Sequence, residues 1–303
     1  MTRPSLCYLT VSYAADLERF ALLRHSLRLF SPDIPHLVYV DSEDVPLFTR
    51  RFGDERGIDI RPTLEVLPPE VEASRRLWRS WRGRLLDRLC WRLHLHRSYS
   101  GWKLQQVVKL EAARRAPAEA IVFLDSDVFL CAPTNADVFF AEHCLLLHES
   151  AAVLYEDYAF ETARQIMISG NLSCTSVAYK YIHQSPRFLR RTASDLIEHL
   201  GSVHPNWIEK FFDTPMASEY NLLGWAVRTL NRYEGYHRET LPAEGWAYEV
   251  KRPGDLAGMI ATCRQEQGAR RFFLVQSNMG LEAANYIPMV TQMLDELAAY
   301  RPF

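Results

Sequence analysis

Features that mark several classes of protein are missing from this chain of 303 residues. Its six cysteines show no Cys-x-x-Cys spacing, which argues against a zinc site or a dithiol redox centre. No apolar run approaches the roughly 18 residues of a membrane-spanning helix. The first apolar stretch is also too short for a signal peptide. We therefore expect a cytoplasmic protein with reduced cysteines.

The chain also lacks a large excess of either charge, since 35 Lys and Arg stand against 37 Asp and Glu. This balance gives the whole chain no electrostatic reason to bind nucleic acid. Apolar residues make up 48% of the sequence, which is enough for a sizeable core and excludes a disordered or collagen-like chain. Composition thus favours a folded protein of the kind that includes most enzymes.

Apolar runs and helical repeats alternate along the chain, which predicts an α/β fold with a mostly parallel sheet flanked by helices. No linker or internal repeat divides the sequence, so we expect one continuous domain over residues 1–303. The expected strands are residues 6–12, 36–40, 58–67, 120–124, 144–148, 152–155 and 272–276. The expected helices are residues 14–30, 44–52, 102–115, 185–200 and 218–230.

One segment, residues 75–97, is locally cationic, with eight arginines and Trp78, Trp81 and Trp91. On a helix, Trp78, Trp81 and three leucines would form one apolar stripe flanked by arginines. Such a stripe can pack on its own domain or lie on an anionic membrane or polyanion. Both interpretations stay open.

Two carboxylates, Asp125 and Asp127, follow the most apolar run of the chain, residues 120–124. A continuous apolar run is typical of a central parallel strand, and ligands of open α/β sheets bind at the carboxyl ends of such strands. Two neighbouring carboxylates repel each other unless a cation is present. Mg²⁺ and Mn²⁺ suit oxygen ligands, and phosphate oxygens commonly complete their shell. The alternative is that Asp127 only begins a turn.

Two stretches carry a resemblance to a known family. Residues 101–110 (GWKLQQVVKL) and residues 121–128 (IVFLDSDV) resemble GT-A glycosyltransferases, and in particular a bacterial family of predicted glycosyltransferases classed as a domain of unknown function. Residues 38–48 (VYVDSEDVPLF) resemble that family's second strand and turn. The later matches are residues 218–220 (SEY) and 275–277 (VQS).

The resemblance implies a GT-A, Rossmann-like fold and transfer of a sugar from a nucleotide diphosphate sugar, with UDP as the first choice. Asp125 and Asp127 would hold Mn²⁺ or Mg²⁺ on the diphosphate. Residues 1–130 would form the nucleotide-sugar half and residues 131–303 the acceptor half. The acceptor would be a glycan or a lipid-linked glycan in bacterial surface polysaccharide assembly. Residues 75–97 would then provide a peripheral contact with the inner membrane.

The resemblance also implies a set of donor-binding residues. Lys109 would assist the diphosphate, although a lysine on a helix is more commonly an exposed surface residue. Asp41 would meet the ribose, or else only open the next helix. Gln106 is favoured over Gln105 because it lies three residues before Lys109 on the same helical face. The full donor-binding set is Thr10, Ser12, Asp41, Gln106, Lys109, Ser126, Gln276 and Ser277.

An inverting enzyme of this kind needs a base for the acceptor hydroxyl, and a positioned Asp or Glu is suitable. Glu219 is the candidate because it follows Ser218, an expected N-cap, at the start of a helix that stabilises its anion. Asp213 is a weaker candidate. Glu219 could equally be a capping-region residue without a chemical role, and a retaining enzyme needs no such base.

Two other functions are compatible with an Asp-x-Asp sequence after a strand. A haloacid dehalogenase-type phosphatase also places Asp-x-Asp after a strand and uses the first carboxylate as nucleophile. That motif normally opens the domain, whereas about 120 residues precede it here. A sugar-binding relative without catalytic activity is the third possibility.

Overall fold

A five-stranded sheet is the centre of the fold. The computed structural model describes residues 3–73, 101–151, 155–169, 179–239, 246–277 and 280–300. The strand bounds are β1 Leu6–Ser12, β2 His36–Val40, β3 Ile58–Pro62, β4 Ala120–Phe123 and β10 Arg187–Leu189. In order across the sheet, the strands are β10, β4, β1, β2 and β3. All pairs are parallel except β10 with β4.

Helices flank this sheet in two groups. One contains α1 (Leu17–Phe30) and α9 (Ala283–Tyr300), which pack together. The other contains α3 (Gly101–Arg115), which packs against β1 and α5 (Arg190–Val203). Within the described ranges, no helix is both long and apolar enough to cross a bilayer. The remaining helices are α2 Val45–Phe52, α4 Tyr155–Ser169, α6 Trp207–Asp213, α7 Glu219–Thr229 and α8 Leu256–Gln265.

Smaller sheets extend the central one. The strand β13 (Phe272–Val275) pairs antiparallel with β5 (Val128–Leu130), which brings the residues after β13 beside Asp127, just before β5. The first small sheet contains β5 Val128–Leu130, β12 Ala247–Val250 and β13 Phe272–Val275. The second contains β6 Phe140–Ala141, β7 Cys144–His148 and β11 Tyr236–Glu239, and a third pairs β8 Ser150–Ala151 with β9 Tyr179–Lys180.

A chain of buried hydrogen bonds crosses the three central strands beneath the carboxyl edge. Arg24 donates to Nδ1 of His36 at 3.2 Å, and because an arginine can only donate, Nδ1 must accept. Nε2 of His36 therefore donates to Thr10 Oγ1 at 2.8 Å, which in turn donates to the carbonyl of Leu124 at 2.7 Å. Burial, helped by Arg24, lowers the pKa of His36 well below its usual value, which keeps the ring neutral. These bonds fix the backbone immediately before Asp125.

The structure confirms the expected fold class, a mixed α/β fold with a mostly parallel sheet flanked by helices. The strands expected at residues 6–12, 36–40 and 144–148 have those bounds. The helices expected near residues 44–52, 102–115 and 218–230 are present to within a residue or two. The division into halves at residue 130 stays a prediction.

Three expectations about elements were wrong. The helix expected from residue 185 begins only at Arg190, because residues 187–189 are the strand β10, which pairs with β4. The strand expected over 58–67 ends at Pro62, whose missing N–H cannot continue a ladder. A strand was expected over 152–155, but a helix begins at Tyr155, and residues 152–154 lie outside the described residues. The cationic segment 75–97 also lies outside them.

Candidate functional site

The carboxyl edge of the central sheet collects the polar residues that follow its strands. Parallel pairing aligns Ser12 at the end of β1 with Val40 at the end of β2, so that Asp41 comes next to this edge. The amide of Leu124, just beyond β4, donates to the carbonyl of Leu9 in β1 at 3.0 Å. Asp125 therefore emerges at the same edge, as expected for a ligand site of a parallel sheet.

The ammonium of Lys109 lies at the centre of this site. Lys109 comes from α3 and is only 3% exposed. Its Nζ lies 2.7 Å from Asp125 Oδ1, and it donates to Glu219 Oε1 at 3.1 Å and to the Tyr220 hydroxyl at 2.8 Å. The contact with Asp125 is an ion pair, and the contacts with Glu219 and Tyr220 are hydrogen bonds. Lys109 thereby ties the end of β4 to the start of α7.

Burial and neighbouring charges oppose each other in this cluster. Burial alone would lower the pKa of Lys109, but Asp125, Tyr220 and Glu219 together raise it well above its usual value, so the ammonium is charged. Burial raises the pKa of Glu219, and Asp125 raises it further, while Lys109 opposes both effects. The Glu219 carboxylate is thus a stronger base than an exposed glutamate.

Asp127 lies two residues beyond Asp125, immediately before the strand β5. Burial first, and then the charge of Asp125, raises its pKa to about 6. The backbone N–H of Ser277, which follows β13, donates to Asp127 Oδ2 at 3.0 Å and partly offsets the shift. The pairing of β13 with β5 creates this contact across 150 residues of sequence.

One face of α3 holds the segment that carries Glu219. Lys103 donates to the carbonyls of Phe212 at 2.5 Å and Thr214 at 3.0 Å, near the end of α6. Gln106 accepts from the backbone N–H of Glu219 at 3.2 Å. Lys103, Gln106 and Lys109 are spaced three residues apart, so they share one helical face. Ser218 occupies the expected N-cap position, but its side chain makes no capping bond there.

A third carboxylate near the site, that of Asp16, was not predicted from the sequence. Asp16, in the short 3-10 helix Ala14–Asp16 after β1, accepts from Arg19 at 2.5 Å. Burial raises the pKa of Asp16 and the charge of Asp125 raises it further, while Arg19 opposes both effects. Its position four residues beyond the end of a central strand is the one signal that could have found it.

The structure places most of the other predicted residues at the same edge. The Ser126 hydroxyl donates to the Ser12 hydroxyl at 3.0 Å, which links the ends of β4 and β1. Asp41 is buried at the end of β2. Thr10 is fully buried and belongs to the hydrogen-bond chain beneath the edge. The roles assigned to these residues in donor binding stay predictions.

The side chains of two predicted site residues, Gln276 and Asp213, interact with residues outside the carboxylate cluster. Gln276 donates to Glu249 Oε1 at 2.7 Å, while its neighbour Ser277 reaches Asp127 through its backbone. Asp213 is exposed at the end of α6, and its charge acts on Lys103. Of the two candidate bases, only Glu219 shares a partner with Asp125.

The carboxylate pair fits a divalent metal that is only partly held by protein. Within the described ranges, no group of three or more His, Cys, Asp or Glu side chains is arranged to hold a metal ion. Mg²⁺ usually takes only one or two protein carboxylates and completes its shell with waters and phosphates. Burial and the charge of Asp125 raise the pKa of Asp127, and a bound cation would favour its anionic form. Asp125 and Asp127 are therefore the residues that would hold such a metal.

Comparison with known proteins assigns a family. A family described as "Family of unknown function (DUF6492)" matches residues 5–299. The chain belongs to this family. No curated protein matches the sequence of this DUF6492 member. The crystal structure of the galactosyltransferase LgtC, in complex with donor and acceptor sugar analogs, is similar with a TM-score of 0.46 and 10% sequence identity, covering 98% of this chain and 96% of that chain.

The central role of Lys109 predicts a large loss of stability on its removal. Lys109→Met leaves the Asp125 and Glu219 carboxylates without their shared cation, and breaking a buried ion pair in this way costs about 3–5 kcal/mol. Adding Glu219→Gln removes one of the stranded charges, so the double variant should recover part of that loss. Urea unfolding at neutral pH measures both effects.

Lys251→Met is the matched control, because the Lys251 side chain is 66% exposed. A surface change of this kind should alter the free energy of unfolding by no more than about 0.5 kcal/mol. A Lys109→Met variant as stable as this control would show that the ammonium does not hold the two carboxylates.

Proposed function

We propose that this protein is a metal-dependent glycosyltransferase that moves a sugar from a nucleoside diphosphate donor, with UDP as the first choice of nucleotide. One observation carries the proposal. Asp125 and Asp127 follow a buried central strand at the carboxyl edge of the sheet, and Asp125 contacts the buried Lys109, which also binds the buried Glu219. The resemblance of residues 101–110 and 121–128 to GT-A enzymes supports the same conclusion.

In this proposal Asp125 and Asp127 bind the donor diphosphate through Mn²⁺ or Mg²⁺. When bound, the metal supplies positive charge that stabilises the departing nucleoside diphosphate. Lys109 acts as a positioning residue, because its ammonium contacts Asp125, Glu219 and Tyr220. Ser12, Asp41, Gln106 and Ser277 line the same edge and are the proposed contacts to the remainder of the donor.

Glu219 is the proposed base of an inverting reaction. Its carboxylate would accept the proton of the acceptor hydroxyl as the bond to the sugar forms. Burial raises the pKa of Glu219, which makes its anion a better proton acceptor, and the contact with Lys109 keeps that anion populated. A retaining reaction would need no such base.

The proposed function makes ligand-dependent stabilisation the first test. UDP, GDP, CDP and CMP are each added with and without Mn²⁺ to the native protein, and the melting temperature is measured. A ligand at about 100 times its Kd adds roughly 2.7 kcal/mol of stability, which is a shift of a few degrees for a chain of this size. One nucleoside diphosphate should stabilise the protein, and only with metal.

Two variants show whether the stabilisation comes from the carboxylate pair. Asp127→Asn should abolish the metal-dependent shift, whereas Asp255→Asn, which changes an exposed carboxylate, should keep it. The absence of a shift in the native protein with every nucleotide and metal would contradict the proposal. Hydrolysis of p-nitrophenyl phosphate without nucleotide binding would instead favour the phosphatase, and binding without sugar transfer the non-catalytic relative.

The place of action and the acceptor are a further part of the proposal. A cytoplasmic enzyme with a lipid-linked acceptor would benefit from a contact with the inner membrane. The eight arginines and three tryptophans of residues 75–97 have the composition that such a contact needs. This part rests on sequence, since the segment lies outside the described residues.

Vesicle sedimentation tests the membrane contact. The native protein should bind vesicles that contain anionic phosphatidylglycerol, and Arg84→Glu, Arg88→Glu and Arg92→Glu together should abolish binding, because each change reverses an attraction to the lipid surface. A control variant makes the same charge change at three exposed arginines elsewhere, Arg50, Arg56 and Arg252. Absence of native binding, or equal loss in both variants, would contradict a specific contact through this segment.

A further inference from the structure

The short segment between Tyr181 and Pro186 runs along the candidate site. At its start, the amide of Tyr181 donates to Asn221 Oδ1 in the first turns of α7 at 3.2 Å. At its end, the carbonyl of Pro186 accepts from the amide of Phe123 in β4 at 2.8 Å. The segment therefore spans from α7 to the end of β4, the two elements that the Lys109 ammonium also joins.

Strand pairing brings one residue of this segment, Gln184, beside the carboxylate pair. The strand β10 is antiparallel to β4, with Arg187 opposite Val122. Continuing this register backwards along β10 and forwards along β4 brings Gln184 level with Asp125. The sheet order β2, β1, β4, β10 puts Asp41, which follows β2, on the other side of the pair. Gln184 thus lies on the side of the pair away from the proposed ribose contact.

The residues on either side of Gln184 face the strand β7. The ring of His183 lies 5.2 Å from the ring of His148, the last residue of β7. Arg187 Nε donates to the carbonyl of Leu146, also in β7, at 2.6 Å. Side chains alternate between two faces along an extended chain, so these two neighbours direct Gln184 away from β7.

The opposite face of the sheet carries the Lys109 ammonium. The ring of Phe188 in β10 lies 6.3 Å from that of Phe123, which lies 5.5 Å from the ring of Tyr220. The Tyr220 hydroxyl accepts from Lys109. Gln184, four residues before Phe188, shares its face by the same alternation. Its side chain is therefore on the side where Asp125 contacts Lys109.

The amide oxygen of Gln184 lacks a hydrogen bond. The residue is half-buried, yet its Oε1 is buried and has no partner in the described part of the chain. Ser185 Oγ and Arg187 Nη1 are buried without a partner too, and no other stretch of four described residues has more than one such atom. Since buried polar groups are nearly always hydrogen-bonded, this concentration indicates a ligand that supplies hydrogen-bonding groups.

We infer that Gln184 binds a hydroxyl of the transferred sugar of the nucleotide-sugar donor, an inference that rests on the proposed function. The diphosphate of such a donor links the nucleoside to the sugar. With the diphosphate at Asp125 and Asp127 and the ribose at Asp41, the sugar extends toward β10. A sugar hydroxyl donates to Gln184 Oε1, and the amide N–H groups can donate to a neighbouring hydroxyl. Gln184 is thus a specificity-determining residue, because a site that hydrogen-bonds a hydroxyl discriminates against ligands without it.

Binding affinities of paired ligands test this inference. Isothermal titration with Mn²⁺ compares UDP, UDP-glucose and UDP-galactose on the native protein and on Gln184→Met, which replaces the amide by an apolar side chain. The variant should bind UDP within about twofold of the native protein and the preferred UDP-sugar at least about fivefold more weakly, since it lacks one hydrogen bond to the sugar. Its melting temperature without ligand should not fall, because the change removes a buried acceptor that has no partner.

Gln165→Met is the matched control. Gln165 is also half-buried, but its Nε2 donates to Glu161 Oε1 at 2.9 Å within the helix α4. This variant should bind all three ligands as the native protein does. An unchanged UDP-sugar affinity in Gln184→Met, or an equal loss for UDP, would overturn the role of Gln184 alone. A fall in the melting temperature of Gln184→Met would also overturn it, by showing that Oε1 has a partner in the free protein. A native protein that binds neither UDP nor a UDP-sugar would overturn the UDP donor of the proposed function, and this inference with it.

Discussion

The buried ammonium of Lys109 joins three elements that are distant in sequence. Asp125 follows β4, Glu219 and Tyr220 begin α7, and Lys109 itself belongs to α3. A buried ammonium is costly unless it is paired and hydrogen-bonded, and Lys109 has ion pairs with Asp125 and Glu219 and a hydrogen bond to the Tyr220 hydroxyl. The same contacts place two carboxylates at one point of the sheet edge. The geometry of the candidate site therefore follows from how one buried charge is balanced.

The remaining electrostatics of the edge explain why a cationic ligand would be favourable there. Lys109 forms ion pairs with Asp125 and Glu219, and Arg19 forms one with Asp16. Burial and the charge of Asp125 raise the pKa of Asp127. The charge of Asp125 thus disfavours ionisation of Asp127, and a bound cation would oppose that effect. A divalent cation with a diphosphate would bring both positive charge and the phosphate oxygens that a partial metal site lacks.

Much of this site could be predicted from local sequence. A continuous apolar run identified β4, and its position made Asp125 and Asp127 candidates. Helical spacing in residues 101–110 placed Gln106 and Lys109 on one face. The contact of Lys109 with Glu219 could not be foreseen from spacing, because it joins residues 110 positions apart. Strand β10 was not predicted, because three residues before a helix carry no periodic signal in the sequence. Its pairing with β4 depends on tertiary contacts.

The most direct test is to locate a metal in crystals of the full chain grown with Mn²⁺ and UDP. Anomalous scattering of manganese reports its position without reference to any assumed ligand. The proposal predicts one peak within coordination distance of both Asp125 and Asp127, about 2.0–2.6 Å from their oxygens, with the diphosphate on its other side. Nucleotide bound elsewhere, or manganese absent from the carboxylate pair while nucleotide is bound, would contradict the proposed donor site.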